Sequence, residues 1–162
     1  MTWLTCPHAD AGDALLAPGL RRLRLFPGEE RALAALRGWL TSALAACPAR
    51  DDVLSVATEL GTNAVQHTAS GRGGWFAVEV AWLESVLRVM VADGGGPAEP
   101  RLVDDPAAER GRGLLLVRGL SVRTGVEGDR RGRLVWADCA VHRPVTGQES
   151  PPPLRHAAPL PR

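Results

Sequence analysis

The sequence has no lysine, no isoleucine and no tyrosine, and it contains a single asparagine, Asn63. Apart from histidine, every basic side chain is therefore an arginine. Without a lysine amine the chain cannot hold phosphate with a Walker-type loop, and it cannot form a Schiff base with a carbonyl substrate. Any nucleotide that this chain binds must be held in another way.

Cysteine is scarce as well, and its three residues, Cys6, Cys47 and Cys139, are far apart in the chain. They form no C-x-x-C pair and no Cys/His cluster, so the sequence predicts no zinc site. Cys139 falls in a predicted strand, with no group beside it in the sequence that would lower the pKa of its thiol. We therefore expect buried or free thiols without a catalytic role.

Long apolar runs are also missing. No stretch reaches the length of a membrane span, and the N-terminus lacks the basic-then-apolar order of a signal peptide, so we expect a cytoplasmic protein with no membrane attachment. The net formal charge is +1, and the arginines are spread along the chain with few aromatic residues near them. Neither a basic stripe nor a stacking platform for bases is predicted, and we expect no direct contact with nucleic acid.

The apolar pattern predicts one domain at residues 20–143, between a flexible leader (1–19) and a Pro-rich, disordered tail (144–162). Its predicted elements in chain order are a strand (21–26), two helices (29–46 and 50–69), a hairpin (75–82 and 86–91), a surface loop (98–110), a short helix (114–120) and a second hairpin (122–126 and 134–141). Short turns between neighbouring strands favour a mixed, mostly antiparallel sheet. With helices on one face, this is an α+β sandwich of two layers.

The predicted helix at 50–69 carries a polar flank beside its apolar stripe. Glu59 and Asn63 lie one turn apart on that flank, where a groove can receive both side chains. Gly61, on the other flank, allows a neighbouring element to approach closely. A carboxylate beside an amide oxygen can serve a metal ion and a nucleophile. Taken alone, the pair is better described as the half-exposed polar edge of an amphipathic helix.

Two further segments complete a nucleotide site. Asp93, followed by glycines, offers an acceptor for the amino hydrogens of adenine, and Gly95 leaves room for the flat ring. Alone, Asp93 can also simply cap a turn. The amides of Gly111, Gly113 and Leu114, at the positive end of the next helix, suit phosphate oxygens. In this arrangement the Asn63 amide oxygen is suited to Mg²⁺ that bridges the phosphates, with Glu59 as the base.

These motifs together resemble the ATP-binding domain of the gyrase, chaperone and histidine-kinase superfamily, known as the GHKL or Bergerat fold. They are most similar to its small branch of anti-sigma-factor serine/threonine kinases from Gram-positive bacteria. The resemblance covers about residues 20–141. It rests on four segments in the family's order: ELGTNA (59–64), VADGG (91–95), RGRGLLLV (110–117) and GRLVW (132–136).

The resemblance implies that ATP and Mg²⁺ are the ligands. It implies that Asn63 coordinates the ion, that Glu59 activates the attacking hydroxyl, that Asp93 reads adenine and that Gly95 borders the ring. Arg110 or Arg112 would contact the terminal phosphate or a bound partner. The remaining implied contacts lie at the end of the lid over the phosphates, at Gly111, Gly113 and Leu114.

The partners that the resemblance implies are a sigma factor, which is sequestered, and an anti-anti-sigma protein, whose serine receives the γ-phosphoryl group. Whether the chain forms a homodimer stays open. Pro97 stands where a second glycine is frequent, and Leu134 replaces a threonine that commonly helps to hold adenine through water. Both departures favour an alternative, a catalytically silent module of the same fold that binds ATP or only a partner. A third alternative is a structural interaction domain without a nucleotide.

Overall fold

The computed structural model describes residues 19–97 and 112–141. The predicted surface loop, the tail and all of the leader except Gly19 lie outside these residues. The elements are β1 (Arg21–Pro27), α1 (Glu30–Ala43), α2 (Arg50–His67), a short 3-10 helix (Ala69–Gly71), β2 (Trp75–Leu83), β3 (Val86–Asp93), α3 (Arg112–Leu120), β4 (Arg123–Asp129) and β5 (Gly132–Ala140). No helix in the described ranges is both long enough and apolar enough to cross a bilayer.

The five strands form one sheet in the order β1-β2-β3-β5-β4, and each of its pairings is antiparallel. Alternate side chains of the central strands are buried, because successive strand residues point to opposite faces. The helices pack on that face, and the prediction of a two-layer α+β sandwich is confirmed. The shared core includes Leu36 and Leu40 of α1, Val53, Val56 and Leu60 of α2, Val78 and Val80 of β2, and Leu87, Val89 and Val91 of β3.

The C-terminal end of α2 is defined by Thr68, whose backbone is extended (φ −124°, ψ 173°). The Thr68 hydroxyl donates a hydrogen bond to the Ala64 carbonyl (2.6 Å) and accepts one from the Ser70 amide (3.1 Å). Such local bonds compete with helix continuation. The helix therefore ends at His67, two residues before the predicted end at 69.

A buried carboxylate lies on the sheet face opposite the helices. Asp138 is 0% exposed and accepts hydrogen bonds from Arg88 Nε (2.7 Å) and Nη2 (2.9 Å), and it pairs with Arg123 Nη2 (2.9 Å). The Arg88 guanidinium lies 4.3 Å from the Trp136 ring centroid. A side chain at Gly125 would collide with that ring. The hydrogen bonds from Arg88 hold the pKa of Asp138 below its ordinary value.

Replacing Asp138 by Asn is expected to lower the free energy of unfolding at neutral pH by about 1.5–3 kcal/mol, the usual contribution of a hydrogen bond to a charged group. Because the folded pKa is depressed, this stabilisation is complete above the unfolded pKa of about 3.9 and is lost as the pH falls through the folded pKa. Urea unfolding of both proteins at neutral pH and at about pH 3 measures the effect, which we expect to shrink in acid. Asp51→Asn, at a side chain that is 83% exposed, is the control. An equal loss at both pH values would contradict the prediction.

Candidate functional site

The carboxylate of Glu59 lies against the first turn of α3. A Cβ atom added to Gly113 would collide with Glu59 Oε2 and would lie 3.1 Å from Glu59 Cδ. The carboxylate therefore occupies the space that any side chain at position 113 would need. At the N-terminal end of a helix, unpaired backbone amides and the helix dipole favour negative charge. The structure thus brings together two of the three segments expected to form the site.

Asn63 follows Glu59 by one turn of α2, and both residues are partly exposed. Leu60 and Ala64, beside them in the chain, are buried in the core. The predicted division of this helix into an apolar stripe and a polar flank is therefore present. Gly61 is covered by α1, where an added Cβ would lie 3.1 Å from the side chain of Leu36. This contact is the close approach expected at that position.

Asp93, the last residue of β3, has a side chain that is only 5% exposed. Its Oδ1 atom accepts a hydrogen bond from the Gly95 amide (2.7 Å) and lies 3.5 Å from Arg133 Nε. Burial raises the pKa of Asp93, against the opposing influence of the Gly95 amide and the Arg133 charge. A buried carboxylate with a specific charged partner at a strand end is a candidate functional group.

The segment after Asp93 fits tightly between two turns. The Gly94 amide donates a hydrogen bond to Ser70 Oγ (2.9 Å), and the Ala69 amide donates one to the Gly95 carbonyl (2.8 Å). Gly95 has a φ of +70°, and an added Cβ would collide with the Arg130 carbonyl in the β4–β5 turn. The backbone conformation and the close contact therefore require glycine at position 95, independently of the role beside adenine that the sequence predicts. Ser70 was not predicted, because no local pattern links it to a residue 24 positions away.

Arg133, and not Leu134, faces Asp93. The β3–β5 register pairs Asp93 with Arg133 and Ala92 with Leu134, so Leu134 points to the face opposite the helices. Leu134, which was expected to replace an adenine-binding threonine, therefore does not share a face of the sheet with Asp93. Alternation along the strand could have predicted this. Val135 packs against the core, and residue 133, two positions earlier, lies on the same face of the sheet.

The remaining predicted contacts are only partly described. Arg110 and Gly111 lie outside the described residues. Arg112 is the first residue of α3, but the structure describes only its backbone and not its side chain. Leu114 is the third residue of α3, so its amide lies in the first turn of the helix. Its side chain is half-buried and packs against the core. The predicted phosphate contacts at 113 and 114 therefore share the helix end that Glu59 touches.

Comparison with known proteins gives a family and a similar solved structure. The model of the histidine kinase-like ATPase domain matches residues 26–138. The crystal structure of the RsbU and RsbW domains of Rv1364c from Mycobacterium tuberculosis has a TM-score of 0.59 and 20% sequence identity, over 79% of this chain and 34% of that chain. This chain thus spans about a third of that structure, and at this identity the likeness concerns the fold. No curated protein matches the sequence.

Proposed function

Since the chain belongs to the histidine kinase-like ATPase domain family, we propose that it binds Mg-ATP and transfers the γ-phosphoryl group to a serine of a partner protein. The observation that carries this proposal is the contact between the Glu59 carboxylate and Gly113 in the first turn of α3. It sets a candidate base beside amides suited to the terminal phosphates. The buried Asp93 supplies a hydrogen-bond acceptor at a strand end.

The described residues fit a magnesium nucleotide. The Asn63 amide oxygen is a hard, neutral ligand of the kind that Mg²⁺ accepts together with waters and phosphates. The Asp93 carboxylate suits the amino group of adenine, and its burial favours such a bond because water competes less there. Bound Mg-ATP supplies the phosphoryl group, a good leaving group and neutralisation of charge on the phosphates.

Each chemical role is then assigned to a residue of this chain. Glu59 accepts the serine proton while the serine oxygen bonds to the γ-phosphorus and the bond from phosphorus to the β–γ bridging oxygen breaks, which releases ADP. Asn63 fixes the position of the ion, and the first amides of α3 receive charge that develops on the phosphates. Reactions of this kind depend mostly on positioning, so small displacements of Glu59 matter.

The partner class follows from the resemblance. We propose that the serine belongs to an anti-anti-sigma protein and that the chain also sequesters a sigma factor. The RsbW domain in the matched structure supports a place in sigma-factor regulation. A binding module without transfer is the second candidate, and Pro97, which is exposed at the end of the glycine segment, favours it. Leu134 no longer does, because it lies on the other face of the sheet.

The test is incubation of the purified chain with Mg²⁺, ATP labelled at the γ-phosphate and a candidate anti-anti-sigma protein. Label on a partner serine supports the proposal, and its loss when that serine is replaced by alanine identifies the acceptor. Mg-ATP binding by calorimetry without label transfer would establish the binding module instead. No heat of association with Mg-ATP would refute phosphoryl transfer and ATP binding, and would leave only a module that binds a partner protein.

Substitutions at two glycines of α3 distinguish an effect on the position of Glu59 from an effect on the stability of the helix. Gly113→Ala is expected to slow transfer about tenfold or more, because the added methyl displaces the Glu59 carboxylate from its place. Gly119→Ala, whose Cβ would meet nothing within 4 Å, is expected to leave transfer unchanged and to raise the free energy of unfolding. That gain should be about 0.5–1 kcal/mol, because alanine is the better helix former. Single-turnover transfer and urea unfolding measure the two effects, and wild-type transfer by Gly113→Ala would contradict the role of the contact.

A further inference from the structure

Arg133 and Asp93 form a buried pair of opposite charges at the base end of the candidate site. Their side chains are 8% and 5% exposed, and Arg133 Nε lies 3.5 Å from Asp93 Oδ1. The two residues share a face of the sheet because they are paired across β3 and β5. This is the helix face, since Val91 and Val135, two positions away in each strand, pack in or against the core. The guanidinium also reaches the glycine segment, where Arg133 Nη2 lies 3.6 Å from the Cβ position of Gly96. A donor and an acceptor thus stand side by side where the base is expected.

The hydrogen-bonding capacities of the two groups exceed what they use on each other. The contact with Arg133 and the bond from the Gly95 amide both involve Asp93 Oδ1. A carboxylate has a second acceptor oxygen, Oδ2, which can accept from the amino group of a base. A guanidinium carries five N–H donors, more than one carboxylate oxygen engages. Burial of both groups keeps bulk water from competing for these positions.

We propose that Arg133 determines base specificity by donating a hydrogen bond directly to N1 of adenine, beside Asp93, which accepts from the 6-amino group. This inference rests on the proposed nucleotide binding. Adenine presents a donor at its amino group next to an acceptor at N1, the complement of a carboxylate next to a guanidinium. Guanine in the same orientation presents O6 to the carboxylate and N1–H to the guanidinium. Both contacts would then be repulsive, which disfavours guanine.

The alternative is that Arg133 only balances the buried charge of Asp93. The two roles of Arg133 predict different affinities when the nucleotide is changed. A structural partner affects every nucleotide equally, whereas a direct bond to N1 affects only nucleotides that have this nitrogen. The test therefore compares ATP with 1-deaza-ATP, in which a C–H group replaces N1, for each protein variant.

The experiment measures dissociation constants of the Mg²⁺ complexes of ATP, GTP, 1-deaza-ATP and 7-deaza-ATP by calorimetry. Wild-type protein is expected to bind 1-deaza-ATP about 10- to 100-fold more weakly than ATP, the range for one charge-assisted hydrogen bond. In Arg133→Met the ratio of the two constants should fall close to one. The ratio for 7-deaza-ATP should be the same in both proteins, since that change leaves the N1 edge intact.

Arg130→Met, at an exposed arginine of the β4–β5 turn, is the matched control and should keep the wild-type ratio. If Arg133→Met does not fold, the wild-type penalty for 1-deaza-ATP and its retention in Arg133→Lys still decide the question. Equal binding of ATP and 1-deaza-ATP by the wild type, equal ratios in wild type and Arg133→Met, or a preference for GTP would each overturn the proposal. If the wild type binds none of the nucleotides, the proposed function itself fails, and this inference with it.

Discussion

Replacing Glu59 by Gln is expected to lower the rate of phosphoryl transfer about 10²- to 10⁴-fold, the usual contribution of a general base. Glutamine keeps the shape of the side chain and its contact with the first turn of α3, but it cannot accept the serine proton. The affinity for Mg-ATP should change little, because no bond to the base or to the ion is removed. Single-turnover transfer of labelled phosphate and calorimetry with Mg-ATP measure the two quantities separately.

Glu30→Gln is a suitable control for this substitution. Glu30 lies in the first turn of α1, is exposed, and belongs to no part of the candidate site. Transfer by that variant should equal transfer by the wild type. If Glu59→Gln also retains full transfer, the assignment of Glu59 as the base is wrong. A parallel loss of ATP binding would instead make Glu59 part of the nucleotide cradle.

Replacing Asp93 by Ala is expected to abolish the thermal stabilisation that Mg-ATP gives the wild type. A ligand at a hundred times its dissociation constant stabilises a protein by about 2.7 kcal/mol. The variant loses the acceptor for the amino group of adenine and leaves Arg133 without its buried counter-charge. Stability without nucleotide should therefore also fall, so the readout is the shift in Tm caused by Mg-ATP within each protein.

The matched control is Glu127→Ala, at an exposed carboxylate of β4. That variant should show the wild-type shift with Mg-ATP. A full shift in Asp93→Ala would remove Asp93 from the site, and with it the proposal for Arg133. A reduced but measurable shift, recovered at higher ATP concentration, fits a weakened site and keeps the assignment.

Most of the elements could be predicted from local patterns. Alternating β-branched residues predicted the hairpin at 75–82 and 86–91, and the structure has it at Trp75–Leu83 and Val86–Asp93. The errors are at the ends of helices and strands, where the pattern of polar and apolar residues continues past the last residue of the element. At the end of α2, the hydroxyl of Thr68 ends the helix by bonds that helix periodicity does not reveal. The domain limits at 20 and 143 stay predictions.

The site was harder to predict than the fold. The order of the four motifs indicated which segments should meet, and the contact of Glu59 with Gly113 agrees with that order. The face on which each strand residue lies depends on register, and an error of one residue moves a side chain to the other side of the sheet. For that reason Leu134 was expected near Asp93, whereas the register pairs Arg133 with Asp93.

The bonds between Ser70 and Gly94 and between Ala69 and Gly95 have a mechanical consequence. They connect the C-terminal end of α2, the helix that bears Glu59, to the glycine segment that follows Asp93. A rotation of α2 would strain these two bonds. In the proposed site, a purine that packs against the glycine segment would therefore also restrain the helix. In the proposed site, recognition of the base and alignment of Glu59 would therefore be coupled through these two hydrogen bonds.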